Sequence, residues 1–151
     1  MSTYCKELSG IAREVRTDAV VTGVVGYSDP KALPAVVSAL WDTGAWSSVI
    51  TQKVVTALGL SPIDHVRACG VNGWYDAPVY IVDVMLPNKI KISNLLVSLG
   101  TMTAADMLIG MDVISMGDFK LINDGKTSFS IRMPSEGDVP FVADTTEESA
   151  R

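Results

Sequence analysis

Ala39-Leu40-Trp41-Asp42-Thr43-Gly44-Ala45 is the stretch whose reading decides the fold of this chain. Residues 35–41 are strand formers, and they deliver one carboxylate into a Thr-Gly turn. Beyond the turn the apolar spacing becomes helical. Asp42 is therefore expected at the end of a buried strand, held by a turn. Burial raises a carboxyl pKa, and a second carboxylate close by raises one of the two further. That tuning suits a general acid or base near neutral pH. Taken alone, Asp-Thr-Gly is also ordinary turn chemistry, because all three residue types are common in turns.

Upstream, residues 19–26 read as a first strand, Ser28-Asp29-Pro30-Lys31 as a turn, and Pro34 as the opening of the second strand. The two make a hairpin whose second arm ends at Asp42. Residues 1–17 mix charges with small residues. Leu8, Ile11 and Val15 at helical spacing allow a short helix from about Lys6 to Arg16, and a flexible arm fits equally well. Downstream, Ser47 or Ser48 can cap a helix with Ile50, Val54 and Leu58 on one face. Gly59 is placed to end it, Leu60 to pack back on Val55, and Pro62 follows the stop. This helix is expected to brace the Asp42 turn.

Asn72-Gly73 is a favoured two-residue hairpin turn, Gly70 loosens the approach, and Trp74 and Tyr75 flank the tip. Such a hairpin is either a mobile lid over a cleft or a surface hairpin whose aromatics pack downward. Residues 80–86 form a strand ended by Pro87-Asn88, and Ile90, Ile92 and residues 95–97 suggest more. Residues 106–114 pack an apolar run against Gly110 and start a short helix that Gly117 ends. Residues 119–122 and 127–131 form a second hairpin through Asn123-Asp124-Gly125. Many short strands, two short helices and no βαβ rhythm predict a mainly β, closed or nearly closed barrel. The expected organisation is an N-terminal arm or helix over 1–17, one domain over 18–133, and an acidic, disordered tail over 134–151.

Composition narrows the function. The 151 residues are one domain's worth, and mean hydropathy of +0.29 implies a folded core. Residues 1–133 carry 11 basic and 12 acidic side chains, and residues 134–151 carry 1 and 5, so the net charge of −5 belongs mostly to the tail. No basic stripe marks a nucleic-acid partner. Cys5 and Cys69 lack metal-ligand spacing and His65 is the sole histidine, so no metal or other cofactor is expected. No apolar run reaches membrane-spanning length and the N-terminus has no signal-peptide core. A cytoplasmic protein with reduced cysteines is expected, unless the chain was cut from a longer precursor.

In three ordered features the sequence resembles the retropepsin-like aspartic proteases: the strand into Asp42-Thr43-Gly44-Ala45, the hairpin Gly70-Val71-Asn72-Gly73, and the segment Leu108-Ile109-Gly110-Met111-Asp112 followed by residues 118–122. The resemblance covers residues 20–133. It implies an aspartic endopeptidase in which two aspartates share one proton and activate a water. One Asp-Thr-Gly per chain then implies a homodimer, with Asp42 as the catalytic residue of each copy. It further implies that the Thr43 hydroxyl bonds the partner's backbone, that Gly44 lets the two turns approach, and that Ile109-Gly110 packs behind the turn. Residues Gly70 to Tyr75 become the flap over a peptide or protein substrate. Trp41, Trp46, Asn72, Trp74 and Met111 depart from the viral pattern, and the acidic tail suits no interleaved terminal strand, so the dimer interface is expected to differ. The alternatives are a catalytically silent member of the same fold that binds peptides or dimerises, and a plain β-barrel interaction module in which Asp-Thr-Gly is only a turn.

Overall fold

The computed structural model describes residues 2–142. In chain order these form β1 (Ser2–Glu7), β2 (Val15–Gly23), β3 (Ala35–Trp41), β4 (Val49–Ile50), α1 (Gln52–Leu58), β5 (Asp64–Gly70) and β6 (Gly73–Met85). A 3-10 turn at Pro87–Lys89 leads to β7 (Lys91–Leu99), β8 (Met107–Ile109), α2 (Met111–Ile114), β9 (Asp118–Asp124) and β10 (Lys126–Met133). Burial alternates with period two along the barrel strands. Val15, Thr17, Ala19 and Val21 point inward from β2, and Val37, Ala39 and Trp41 from β3.

The larger sheet runs β2-β3-β8-β4-β7-β6-β5, and β2 pairs with β6 as well. The ladder thus returns on itself through six strands, as expected of a barrel, and β5 stands outside the ring as the hairpin partner of β6. Strands β3 and β8 are parallel, with Leu40 opposite Leu108 and Trp41 opposite Ile109. The second sheet, β1-β10-β9, is antiparallel. It closes one end of the barrel through an aromatic cluster in which Trp41, Phe119 and Phe129 have ring centroids 5.2–6.0 Å apart. Burying a side chain such as Phe129 stabilises by roughly 1.5–3 kcal/mol. The Trp41 indole donates to the Thr17 hydroxyl at 3.0 Å, so its polar atom is satisfied.

Helix α1 ends as expected. Gly59 adopts φ 56°, its N–H donates to Thr56 O, and the Leu60 N–H donates to Val55 O. It starts later than the serine caps suggest, because Val49 and Ile50 are spent on β4 and Thr51 is the N-cap.

Two expectations are corrected. The region 1–17 forms no helix: residues 2–7 are β1, paired along β10 from Ser2↔Met133 to Glu7↔Ser128, Leu8 and Ile11 lie in the connection that follows, and Val15 opens β2 opposite Trp41. Of the segment expected to be disordered, residues 134–142 lie against the second sheet, and residues 143–151 are outside the described residues. The cause is Arg132, whose side chain is 1% exposed. Its guanidinium donates to Asp118 Oδ2 at 2.6 and 2.9 Å, to Gly137 O at 3.1 Å, to Val139 O at 2.8 Å and to Pro140 O at 3.3 Å. The Phe141 ring covers it at 4.3 Å. A buried cation needs such a full set of acceptors, and the chain after β10 folds back to supply them.

The Ser135 hydroxyl, the Glu136 amide and Arg132 together lower the Asp118 pKa to about 2, from 3.8. A carboxyl depressed in the folded state stabilises above its unfolded pKa and loses that contribution as pH falls through the folded one. Wild type should therefore lose the Asp118 contribution between pH 3.8 and about 2. Asp118→Asn should melt below wild type at pH 6, and the gap should narrow toward pH 2. Melting temperatures against pH check this, and a gap independent of pH contradicts it.

Candidate active site

Asp42 follows β3 without a break. Its N–H donates to Ile109 O at 2.9 Å, extending the β3–β8 pairing by one step. The chain then turns back on the carboxylate. The Gly44 N–H donates to Asp42 Oδ1 at 2.8 Å and the Ala45 N–H to Asp42 O at 3.2 Å. This Asx-type turn fixes the plane of the carboxylate. A Cβ at Gly44 would lie 3.2 Å from Oδ1, so any larger residue would crowd the held oxygen. Asp42 is half-buried, Thr43 and Gly44 are exposed, and Trp46 is 90% exposed.

The turn is locked from behind. Met111 N–H donates to Ala45 O at 2.8 Å and Asp112 N–H to Trp46 O at 3.1 Å. The Asp112 carboxylate accepts from the Ser48 N–H at 2.9 Å and from the Ser48 hydroxyl at 2.8 Å. That hydroxyl accepts in turn from the Gly110 N–H at 3.1 Å. Residues 45–48 and 110–112 therefore cross at backbone contact. A Cβ at Gly110 would sit 2.8 Å from the Ser47 carbonyl carbon and 2.9 Å from Ala45 O. Glycine is required here by proximity, since its φ of −96° suits any residue. Ile109 is fully buried, and its carbonyl accepts from the Asp42 N–H.

Ser48 and Asp112 are positioning residues that sequence reasoning missed. Ser48 looked like a helix cap, and Asp112 stood inside a quoted segment without a role. A third is Asp106, which accepts from the Ser38 N–H at 2.9 Å and pairs with Lys53 at 3.0 Å. Its carbonyl accepts from the Thr51 N–H and hydroxyl. The Ser38 amide, more than the Lys53 ammonium, holds its pKa below the usual carboxylate value. Asp106 thereby ties β3, β8 and the start of α1 together.

The hairpin expected as a lid is present with a shifted turn. Gly70 pairs with Gly73, so Val71 and Asn72 are the central residues. The positive φ falls on Gly73 alone, which opens β6 and is not a central residue. Trp74, 65% exposed, faces the Arg67 guanidinium at 5.5 Å. Tyr75 folds back: its ring lies against Gly70 and its hydroxyl reaches toward Gly100, beside Val49 on β4. Both rings are exposed, Tyr75 at 40% less so than Trp74. Among the described residues, no three His, Cys, Asp or Glu side chains cluster as metal ligands. No helix among them is long and apolar enough to cross a membrane.

One chain thus presents one carboxylate, oriented by the Gly44 N–H, on an exposed turn. A lone carboxylate can accept one proton, and a shared-proton pair needs a second.

Residues 35–116 match the family described as "gag-polyprotein putative aspartyl protease". No curated protein sequence matches the chain significantly. In structure the chain is similar to a retropepsin-like aspartic protease from Rickettsia conorii, at 18% identity and TM-score 0.55 over 85% of this chain and 93% of that one. It is also similar to the EIAV protease complexed with the inhibitor HBY-793, at 16% identity and TM-score 0.50 over 68% and 86%. At such identities the structural likeness speaks for the fold. The family match covers more than half of the chain, from the strand that ends at Asp42 to the helix behind it, and so the chain belongs to the gag-polyprotein aspartyl protease family, with a retropepsin-like fold.

Proposed function

We propose that this chain is an aspartic endopeptidase whose site is completed by a second copy. The observation that carries this is Asp42 itself: a carboxylate oriented by Gly44, braced through Ser48, Gly110 and Asp112, and set on a turn whose Thr43 and Gly44 are exposed. Two such turns related by a twofold axis bring two Asp42 carboxylates together. Like charges at close range cannot both ionise readily, so the pair holds one proton. The ionised member takes a proton from the water between them as that water attacks the scissile carbonyl carbon. The protonated member transfers its proton to the carbonyl oxygen, which becomes a hydroxyl of the tetrahedral intermediate. On collapse the proton taken from the water passes to the leaving amine, a hydroxyl of the intermediate gives its proton back to the pair, and the pair again holds one proton. The substrate is a peptide or protein strand, and the hairpin from Gly70 to Tyr75 closes over it.

Asp42→Asn keeps the side chain's shape and loses the proton. It should fold like wild type and hydrolyse peptides about 10²–10⁴-fold more slowly, the usual range for general acid–base groups. An excess of this variant should also suppress wild-type activity, because a mixed dimer holds one carboxylate. Equal rates for the pure variant would refute the mechanism. A wild type that binds peptidic inhibitors without turnover would leave a silent member of the fold.

Gly110→Ala forces a Cβ into the crossing and should destabilise by about 1–3 kcal/mol. Its surviving folded fraction should show lower kcat, because the Asp42 turn shifts. Denaturant unfolding with active-site titration separates the two effects.

Trp74→Ala removes an exposed ring. It should lower kcat/KM with little change in melting temperature, as expected of a lid that buries few contacts. A large drop in melting temperature with normal kcat/KM would make Trp74 a structural residue.

A further inference from the structure

The second sheet has two outer strands, and they are finished differently. Strand β1 is covered by the turn at Pro87–Lys89, whose Asn88 side chain donates to the Thr3 carbonyl. Strand β9 is bare: among the described residues its backbone bonds only to β10. It carries Leu121 at 45% exposure and Ile122 at 43%, and these point to opposite faces. A bare edge with half-exposed apolar residues and no proline is a template for another strand.

The charges on β9 indicate which strand. Asp118 is engaged by Arg132. Lys120 and Asp124 remain, both exposed, two positions either side of Ile122 and on the same face as it. Lys120 has its ammonium 5.6 Å from the Phe141 ring, on that same side of the sheet. When β9 is laid antiparallel on its own copy with Ile122 on the twofold axis, Lys120 faces Asp124 of the second copy and Asp124 faces Lys120. Ile122 meets Ile122, and Leu121 faces Asn123. The segment 120–124 is self-complementary in this register.

Position adds a second reason. Strand β9 leaves α2, whose Asp112 braces the Asp42 turn, and its Phe119 ring packs 6.0 Å from Trp41, the residue before Asp42. The bare edge is continuous with a site that one chain leaves half built. Resting on the proposal that a second copy completes the site, we infer that β9 is the dimerisation edge. Two copies join β9 to β9 about Ile122, and the two three-stranded sheets become one of six strands.

Sedimentation of the full chain over a concentration series at low salt tests this. Wild type should show a monomer–dimer equilibrium. Lys120→Asp and Asp124→Lys each place like charges opposite one another twice, and each should raise the dimer Kd about tenfold. The double variant restores both pairs and should recover wild-type Kd to within about threefold. In a Cys5→Ser, Cys69→Ser background, Ile122→Cys should form an intermolecular disulfide under mild oxidation, since directly opposed strand residues bring Cβ atoms into bonding range. This variant also decides the matter if a charge variant fails to fold. A wild type that stays monomeric, single variants that dimerise like wild type, a double variant as weak as the singles, or no disulfide would each overturn the inference. Peptide cleavage read in parallel separates the two proposals. The charge-swap pattern without cleavage in any sample would remove the peptidase and keep the edge. Cleavage indifferent to the swaps would remove the edge and keep the peptidase.

Discussion

The close crossing of residues 45–48 over 110–112 is the constraint on which the rest of the structure depends. It requires a residue without a side chain at Gly110, and it uses the Asp112 carboxylate to satisfy the N–H and hydroxyl of Ser48, which is fully buried. A half-buried carboxylate that accepts several hydrogen bonds is strongly directional, and directional bonds fix a turn where apolar packing only confines it. The parallel pairing of β3 with β8 follows from the crossing, because both strands must arrive at it side by side. So does the orientation of Asp42, whose own N–H continues that pairing.

The barrel and the second sheet solve different problems. The barrel satisfies its own backbone by closing on itself. The second sheet cannot close, so it must cover its edges or offer them. On the β10 side it buries a cation, and the chain beyond β10 is recruited to neutralise it. The ordering of residues 134–142 is thus a consequence of one charged side chain and not of apolar burial.

Local patterns in the sequence were legible where local physics decides the outcome. The Asp42 turn, the Gly59 helix stop and the Asn123–Gly125 hairpin carry their own turn chemistry, and all three stand where the residues put them. What was not legible depends on partners far along the chain. The spacing of Leu8, Ile11 and Val15 allowed a helix or a flexible arm, and nothing local showed that residues 2–7 would form a strand against β10, more than 120 positions away. Ser48 and Asp112 lie 64 positions apart, and neither residue type announces its partner. The β5–β6 hairpin turn was misplaced by one residue because Asn-Gly propensity favours one register and the pairing of Gly70 with Gly73 selects another. Arg132 gave no signal at all, since arginine in a strand usually faces water.

Strand β6 is both wall and projection. Its first four residues, Gly73 to Asp76, are exposed, and farther along Tyr80, Val82 and Val84 enter the core. Nothing in the barrel senses the length of the projecting part. Pairing with β7 and β2 from Val79 to Met85 fixes which side chains of the wall face inward. One residue gained or lost in each arm of the projecting part would therefore keep β5 paired with β6 and leave the wall unturned, while reversing the faces at the tip, because side-chain direction has period two.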